Sequence, residues 1–305
     1  MPAVQLNNIT KTYNKGEVLA VSDVSFSVSE GELFGLIGPD GAGKTSIFRM
    51  LTTLLLPDQG TASVDGFDIV TNYKDIRSRV GYMPGKFSLY QDLTIEENLN
   101  FFATVFDTSI EENYNLIKDI YVQIEPFKNR RAGKLSGGMK QKLALCCALI
   151  HKPSVLFLDE PTTGVDAVSR KEFWEMLKRL KQQGITILVS TPYMDEATLC
   201  DRIALIQTGK ILSIETPDNI IKAYPEKLFA IRSANIYALL KDITHYENAL
   251  SCFTFGEYLH ISFKKEDDQA IDALLAYLKA KNHQQVEIKP ITPTIEDCFI
   301  RLLKA

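Results

Sequence analysis

The segment that most limits how this chain can fold is a glycine-rich turn between an apolar strand and an apolar helix. Residues 33–37 read LFGLI and predict a buried strand. Residues 38–45 follow directly, read GPDGAGKT and fit the pattern G-x-x-x-x-G-K-[ST] in full. A helical apolar pattern continues over 47–51. This order predicts an open α/β sheet that carries a phosphate-binding loop at its carboxyl edge.

Each residue type in this turn suits the binding of a triphosphate. Glycines let the backbone curl so that its N–H groups point at phosphate oxygens, and the helix N-terminus adds partial positive charge. Lys44 can reach the β- and γ-phosphates, and the Thr45 hydroxyl can coordinate Mg²⁺. The predicted nucleotide-binding residues of the turn are Gly38, Pro39, Asp40, Gly41, Ala42, Gly43, Lys44, Thr45 and Ser46.

A second apolar strand ends in two acidic residues. Residues 155–158 read VLFL, and Asp159 and Glu160 follow at the carboxyl edge, where open α/β sheets bind their ligands. Asp159 is suited to hold Mg²⁺ through its waters, and Glu160 to orient or deprotonate a water that attacks the γ-phosphate. We therefore predict Glu160 and Lys44 as catalytic residues, and Thr45 and Asp159 as the metal-binding residues.

The remaining pattern predicts two domains. Antiparallel strands over residues 1–30, then buried strands alternating with helices, indicate an α/β domain at 1–216 that binds nucleotide. Its helical insert covers about 86–150, and a capping box formed by Thr94 and Glu97 is predicted at the start of a helix there. Residues 217–305 follow the order β-α-β-β-α-β, typical of a ferredoxin-like α+β accessory domain, with its second helix predicted over 266–281.

Charge and hydropathy exclude several classes of protein. The 34 basic and 38 acidic residues give a net charge of −4, which provides no overall basic footprint for nucleic acid. No apolar stretch approaches the roughly 18–20 residues needed to span a bilayer, and the N-terminal segment lacks an apolar signal core. We therefore expect a cytosolic chain that reaches a membrane through a partner. The five scattered cysteines fit reduced, structural thiols.

A third motif opens a helix shortly before the acidic strand. Residues 135–141 read LSGGMKQ, and small residues at a helix start let backbone N–H groups and the Ser136 hydroxyl approach an anion. Because the chain already has one phosphate loop, a second turn of this kind suggests use in trans. The motif resembles the signature of ATP-binding cassette (ABC) proteins. The signature residues are Leu135, Ser136, Gly137, Gly138 and Met139.

The resemblance covers residues 3–215 and implies a RecA-like P-loop NTPase core with ATP and Mg²⁺ as cofactors. In this family the signature of one subunit closes over the ATP of the other, so that both sites of the dimer are composite. Tyr13 is similar to the aromatic residue that stacks on adenine. Asp166 lies in the loop at 161–166, which resembles the segment that reaches the dimer seam and is called the seam loop below. Residues 293–299 resemble the C-terminal extension of exporter cassettes paired with ABC-2-type permeases.

Two positions depart from the family pattern. The family has a glutamine that touches Mg²⁺ and the attacking water where this chain has Gly85. It has a histidine that contacts the γ-phosphate where this chain has Pro192. Neither residue offers a side-chain donor, so the resemblance implies ATP binding with slow hydrolysis at the chain's own site. A heterodimer with a fuller cassette subunit is expected, and a homodimer with two slow sites is the alternative.

The resemblance implies an ATP-binding subunit at the cytoplasmic side of the cell membrane. It would couple Mg-ATP binding and hydrolysis to export through a separate ABC-2-type permease, without nucleic acid as a partner. A permease helix would dock near residues 85–93, where Phe87 and Tyr90 are candidate anchors. Two alternatives stay open: a soluble cassette ATPase that acts on ribosomes or nucleic acid, and a regulatory ATP-binding module.

Overall fold

The computed structural model describes residues 2–265 and 269–304, which form two compact units. The first unit ends at Pro217 and the second begins at Asp218. The predicted start of a helix at 266 lies outside the described residues, as do residue 1, where the first predicted domain begins, and residue 305, where the second ends.

The first unit contains two sheets and the helices that cover them. Its elements in chain order are β1 Val4–Tyr13, β2 Val18–Val28, β3 Leu33–Ile37, α1 Lys44–Leu51, β4 Gln59–Val64, β5 Phe67–Asp68, α2 Tyr73–Arg79, β6 Val80–Met83, α3 Ile95–Val105, α4 Tyr114–Tyr121, α5 Gly137–Leu149, β7 Val155–Asp159, α6 Ala167–Gln182, β8 Thr186–Thr191, β9 Arg202–Gln207 and β10 Lys210–Glu215.

The larger sheet has the strand order β10-β9-β3-β8-β7-β6. Its strands from β9 to β6 pair in parallel, and β10 pairs antiparallel with β9 at one edge. The smaller sheet, β2-β1-β4-β5, is antiparallel. The predicted α/β core with an antiparallel subdomain is therefore confirmed. Because β3, β7 and β8 are neighbours and parallel, the chain segments that follow them all leave the same edge of the sheet.

Burial explains why β3 and β7 read as continuous apolar runs. All residues of both strands are buried, as expected for parallel strands covered on both faces. Phe157 of β7 packs edge-on against Phe48 of α1, with ring centroids 5.8 Å apart. This contact fixes α1, and hence the loop before it, against the centre of the sheet.

The helical insert contains α3, α4 and α5. The predicted capping box at α3 is confirmed, since Thr94 Oγ1 accepts from the Glu97 amide at 3.1 Å and Glu97 accepts from the Thr94 amide at 2.7 Å. The sequence pattern predicts a helix over 111–124, but α4 covers only Tyr114–Tyr121, and a 3₁₀ turn that contains a proline follows at Glu125–Phe127. The short helix α2 and strand β10 were not predicted, because neither has a strong apolar period.

The second unit contains one antiparallel sheet with helices. Its elements are α7 Pro217–Lys222, which begins at the unit boundary, β11 Leu228–Arg232, α8 Ile236–Thr244, β12 Ala249–Phe255, β13 Tyr258–Phe263, α9 Ala270–Ala280, β14 Glu287–Ile291 and α10 Ile295–Leu302. The strand order β12-β13-β11-β14 with β-α-β-β-α-β connections is the predicted ferredoxin-like arrangement.

We expect Thr94→Ala to lower the free energy of unfolding of the full chain by about 1 kcal/mol, because it leaves the first turn of α3 without its cap. Thr104→Ala is the matched control on the same helix. Its exposed hydroxyl only donates to the Asn100 carbonyl, and its loss should cost less than about 0.5 kcal/mol. Urea unfolding followed by circular dichroism measures both values. Equal losses in the two variants would contradict the capping argument.

Candidate nucleotide-binding site

The phosphate loop lies between β3 and α1, where two of its glycines have no room for a side chain. A Cβ atom on Gly38 would lie 2.1 Å from the Ile206 carbonyl oxygen, and one on Gly43 would lie 2.3 Å from the Ala20 carbonyl oxygen. Gly43 also has φ +105°, in the region that favours glycine. The Gly38 amide donates to the Thr191 carbonyl at 3.2 Å. The larger sheet therefore constrains the start of the loop, and β2 of the smaller sheet constrains its end.

Lys44 is held inside this loop. Its side chain is 2% exposed, and Nζ donates to the carbonyl oxygens of Gly38 at 2.8 Å and Pro39 at 3.0 Å. The Glu160 carboxylate lies 3.1 Å from the same Nζ. The loop backbone and the acidic strand end thus share one buried positive charge.

The start of α1 supplies further donors. The residue before the helix is Gly43, and no side chain caps the first turn. Amides in the first turn of a helix have no intrahelical acceptor, and the helix dipole favours an anion there. Thr45 and Ser46 add half-buried hydroxyls. This set of donors fits a chain of phosphate groups.

The two acids occupy different environments. Asp159 is 2% exposed and accepts from Ser190 Oγ at 2.6 Å. Burial, together with the nearby Asp159 charge, raises the pKa of Tyr82 to about 12. Glu160 adopts φ +51° and turns its amide onto Ser190, whose carbonyl oxygen and Oγ accept at 3.1 and 3.0 Å. Sequence reasoning missed Ser190; a polar residue near the end of an otherwise apolar strand was the available signal.

Tyr13 lies at the end of β1 with its hydroxyl 3.0 Å from Ser46 Oγ on α1. The preceding residues are fixed by Asp58, which accepts from the Lys11 ammonium at 2.6 Å and from the Thr12 amide at 2.7 Å. These bonds, with that from Lys11 the largest contribution, lower the pKa of Asp58 to about 2. Tyr13 is therefore placed next to the first turn of α1.

The signature residues form the start of α5. Ser136 Oγ accepts from the Met139 amide at 3.3 Å, and Gly137 and Gly138 are the first helical residues. A Cβ on Gly138 would lie 3.1 Å from Ser169 Oγ of α6. In the described part of the chain, no hydrogen bond or ion pair joins residues 135–139 to residues 38–46.

Asp166 ends the seam loop and caps α6. Its carboxylate accepts from the amides of Val168 at 3.1 Å and Ser169 at 3.0 Å. The bond from Ser169 is the main cause that lowers the pKa of Asp166. The sequence pattern predicts a helix only from residue 171, whereas α6 begins at Ala167, because Asp166 caps it.

Both departures from the family pattern lie at this site. A Cβ atom on Gly85 would lie 3.1 Å from the Asp159 carbonyl oxygen and 3.8 Å from Glu160 Cβ. Pro192 follows Thr191, the residue that accepts from the Gly38 amide. A glutamine at 85 or a histidine at 192 would thus begin beside the acids or beside the phosphate loop, and the chain has neither side chain there.

The site offers only part of a metal coordination sphere. Thr45 and Asp159 provide oxygen ligands, which Mg²⁺ prefers. Among residues 2–265 and 269–304, no group of three or more His, Cys, Asp or Glu side chains could hold a metal ion. This donor set fits an ion that is held mainly by phosphate oxygens and water.

No helix within the described residues is long and apolar enough to cross a membrane. The parallel sheet, the glycine loop that encloses Lys44 and the adjacent pair of acids together define a P-loop NTPase.

Comparison with known proteins gives the family. A family described as ABC transporter matches residues 21–163. The chain is 34% identical to the Nod factor export ATP-binding protein I of Rhizobium sp. (strain N33) over 304 residues, 98% of this chain and 96% of that protein. The chain therefore belongs to the family of ABC transporter ATP-binding proteins.

One further relative and one solved structure show how much of each known protein this chain matches. The chain is 38% identical over 307 residues to the probable multidrug ABC transporter ATP-binding protein YbhF of Escherichia coli (strain K12). That match covers 98% of this chain and 52% of the relative, so the chain spans about half of that protein's length. The solved dimeric cassette MJ0796, in a post-hydrolysis state bound to ADP and Pi, aligns with a TM-score of 0.63 and 28% identity, over 70% of this chain and 98% of that chain.

We expect Glu160→Gln to bind ADP about fivefold more tightly than the unchanged chain. The variant loses the ion pair that competes with phosphate for Lys44, a contact worth about 1 kcal/mol. ADP is the ligand of choice because it lacks the γ-phosphate, so that the titration measures binding without hydrolysis. Glu172→Gln, which breaks an ion pair with Lys142 on the protein surface, is the control and should leave the affinity unchanged. Calorimetric titration that gives equal affinities for all three proteins would contradict the competition.

Proposed function

We propose that the chain is the ATP-binding subunit of an exporter and couples Mg-ATP binding and hydrolysis to transport through a separate ABC-2-type permease. The observation that carries this proposal is the buried Lys44 ammonium, enclosed by loop carbonyls and paired with Glu160. The relatives named above are a Nod factor export protein and a probable multidrug transporter protein, which supports export as the direction. Isolation of the tagged chain from native membranes, followed by identification of its companions, tests the proposal.

The residues divide the work at this chain's own site. Residues 38–46 bind the phosphates through backbone amides and the Lys44 ammonium, and Tyr13 contacts the base. When bound, Mg²⁺ neutralises phosphate charge, and Thr45 and Asp159 are the residues that would hold it. Glu160 orients the attacking water and accepts its proton. The Glu160 carboxylate must first leave Lys44, which makes its release part of nucleotide entry.

In a dimer, the signature turn would act on the partner's nucleotide. The exposed Ser136 and the glycines after it would complete the ATP site of a partner subunit, and Asp166 would lie at the seam. MJ0796 is a dimer in its solved structure, which supports this arrangement. Because Gly85 and Pro192 weaken only the site built on this chain's own Lys44, a heterodimer with a complete cassette has one slow and one fast site.

An ATP-dependent regulatory module is the second candidate. It is favoured by one observation: the two departures lie beside Asp159, Glu160 and the phosphate loop, while the loop at 38–45 keeps the full phosphate-binding pattern. Recovery of the chain from membranes without a polytopic protein would favour this candidate over the exporter subunit.

We expect Pro192→His to speed single-turnover ATP hydrolysis by about 100-fold, since it supplies a donor for the γ-phosphate. Pro192→Ala is the matched control, because it removes the proline ring without adding a donor, and it should stay slow. Addition of Glu160→Gln to the histidine variant should abolish the gain. Rapid-quench measurements with excess protein give the rates. A fast unchanged chain, or equal rates for the histidine and alanine variants, would refute the proposed weakening.

A groove between the sheet and the helical insert is the proposed docking site for a permease helix. It has a volume of about 660 Å³, and its lining is mainly apolar and includes Leu89, Phe102, Val105 and Phe106. The Tyr90 ring packs edge-on against Phe101, with ring centroids 4.8 Å apart; both side chains are exposed, and neither lines the groove. Phe87, the other candidate anchor, is placed against Lys140 of α5 and does not line this groove.

We expect Val105→Glu to reduce co-purification of the membrane subunit at least tenfold while ADP affinity stays unchanged. Val105 is 59% exposed in the groove, so a charge there costs little in the free chain and is buried only on docking. Val122→Glu is the control at an apolar position of similar exposure, 42%, that does not line the groove. Equal loss of the membrane subunit in both variants would contradict docking at this groove.

A further inference from the structure

A buried carboxylate connects two segments of the site that the mechanism above does not connect. Glu196 lies in the 3₁₀ turn Met194–Leu199 and is 1% exposed. Its two oxygens accept separately, from Thr162 Oγ1 at 2.8 Å and from Thr191 Oγ1 at 2.5 Å. Both threonines are fully buried. Removal of a carboxylate from water costs several kcal/mol unless hydrogen bonds and a positive charge compensate.

The two threonines belong to opposite sides of the nucleotide site. Thr191 ends β8, and its carbonyl accepts from the Gly38 amide at the start of the phosphate loop. Thr162 is the second residue of the seam loop, two positions after Glu160. Its carbonyl accepts from the Val165 amide at 3.3 Å, one residue before Asp166. A continuous path of hydrogen bonds therefore runs from the phosphate loop through Glu196 to the seam loop.

Arg170 completes this cluster from α6. Its Nε is buried without a hydrogen-bond partner and lies 3.6 Å from the nearer Glu196 oxygen, and its guanidinium stacks on the Tyr193 ring at 4.2 Å. The attraction between Arg170 and Glu196 is therefore electrostatic, and the hydrogen bonds to Glu196 come from Thr162 and Thr191. Thr162 and Thr191 can change partners, whereas the arginine only balances the charge.

We propose that Glu196 is a positioning residue that ties the seam loop to the phosphate loop, so that nucleotide bound at Lys44 changes the seam loop. The segment after β8 has Pro192 in place of a side chain that could contact phosphate. The link from this segment therefore runs through the preceding residue, Thr191, and the buried carboxylate. This inference rests on the proposed function, because the seam loop transmits a signal only if a partner subunit faces it.

Three variants of the full chain separate the hydrogen bond from packing. Thr162→Val keeps the shape of the side chain and removes its hydroxyl, whereas Thr162→Ser keeps the hydroxyl and removes a methyl group. Glu196→Gln keeps the size of the acceptor and removes its charge. Asp195→Asn is the control, because Asp195 is exposed in the same turn and lies 3.8 Å from Arg170.

Hydrogen exchange with magnesium and adenylyl imidodiphosphate measures the link in the single chain. Peptides over 38–47 report nucleotide binding, and peptides over 161–169 report the seam loop. We expect nucleotide to slow exchange in both segments at least threefold in the unchanged chain, the serine variant and the asparagine variant. In the valine and glutamine variants, only peptides over 38–47 should respond.

The outcomes keep this inference apart from the function on which it rests. No protection at 38–47 in the unchanged chain would overturn the proposed function itself. Protection at 38–47 with an equal seam-loop response in the valine and unchanged chains would overturn only the role of Glu196. A seam loop that never responds would also overturn it. If Glu196→Gln fails to fold, the valine and serine pair still decides the result.

Discussion

An ammonium group that is almost wholly removed from water needs acceptors around it, and the chain provides three oxygens for Lys44. Two are carbonyls of the glycine loop, and they set the curl of that loop. The third belongs to Glu160, which directly follows β7, and β7 is separated from β3 by one strand, β8. This single charge therefore holds together the phosphate-binding and acidic parts of the site, and the order β3-β8-β7 makes that possible.

Strand β8, which lies between β3 and β7, supports both parts of the site through its last two residues. Ser190 bonds both acids, and Thr191 bonds the first glycine of the loop. β8 is thus a central support whose polar end aligns the groups on either side. The left-handed backbone of Glu160 follows from this arrangement, because its amide must turn toward β8 while its carboxylate points to Lys44.

Most of the fold could be predicted because its elements have strong local signals. The strand 33–37 and the order of the second unit follow from apolar period, and the cap at Thr94 depends on a side chain close in sequence, whereas the cap at Asp166 was not predicted. The phosphate loop and acidic strand were recognised from residue type and spacing. The Glu196 network could not be, because its partners are 34 and 5 residues away and only the folded chain brings a distant threonine onto a carboxylate.

The close packing of the signature turn on α6 has a genetic consequence. A Cβ atom on Gly138 would lie 3.1 Å from Ser169 Oγ, closer than ordinary contact, and one on Gly137 would lie 3.8 Å from the Gly164 carbonyl oxygen in the seam loop. In the composite arrangement proposed above, a bulkier residue at 169 would push the signature turn of this chain out of place. The substitution would slow ATP hydrolysis at the site built on the partner subunit's phosphate loop. A mutation in the gene for this chain would therefore give the phenotype expected from a mutation in the gene for the partner subunit.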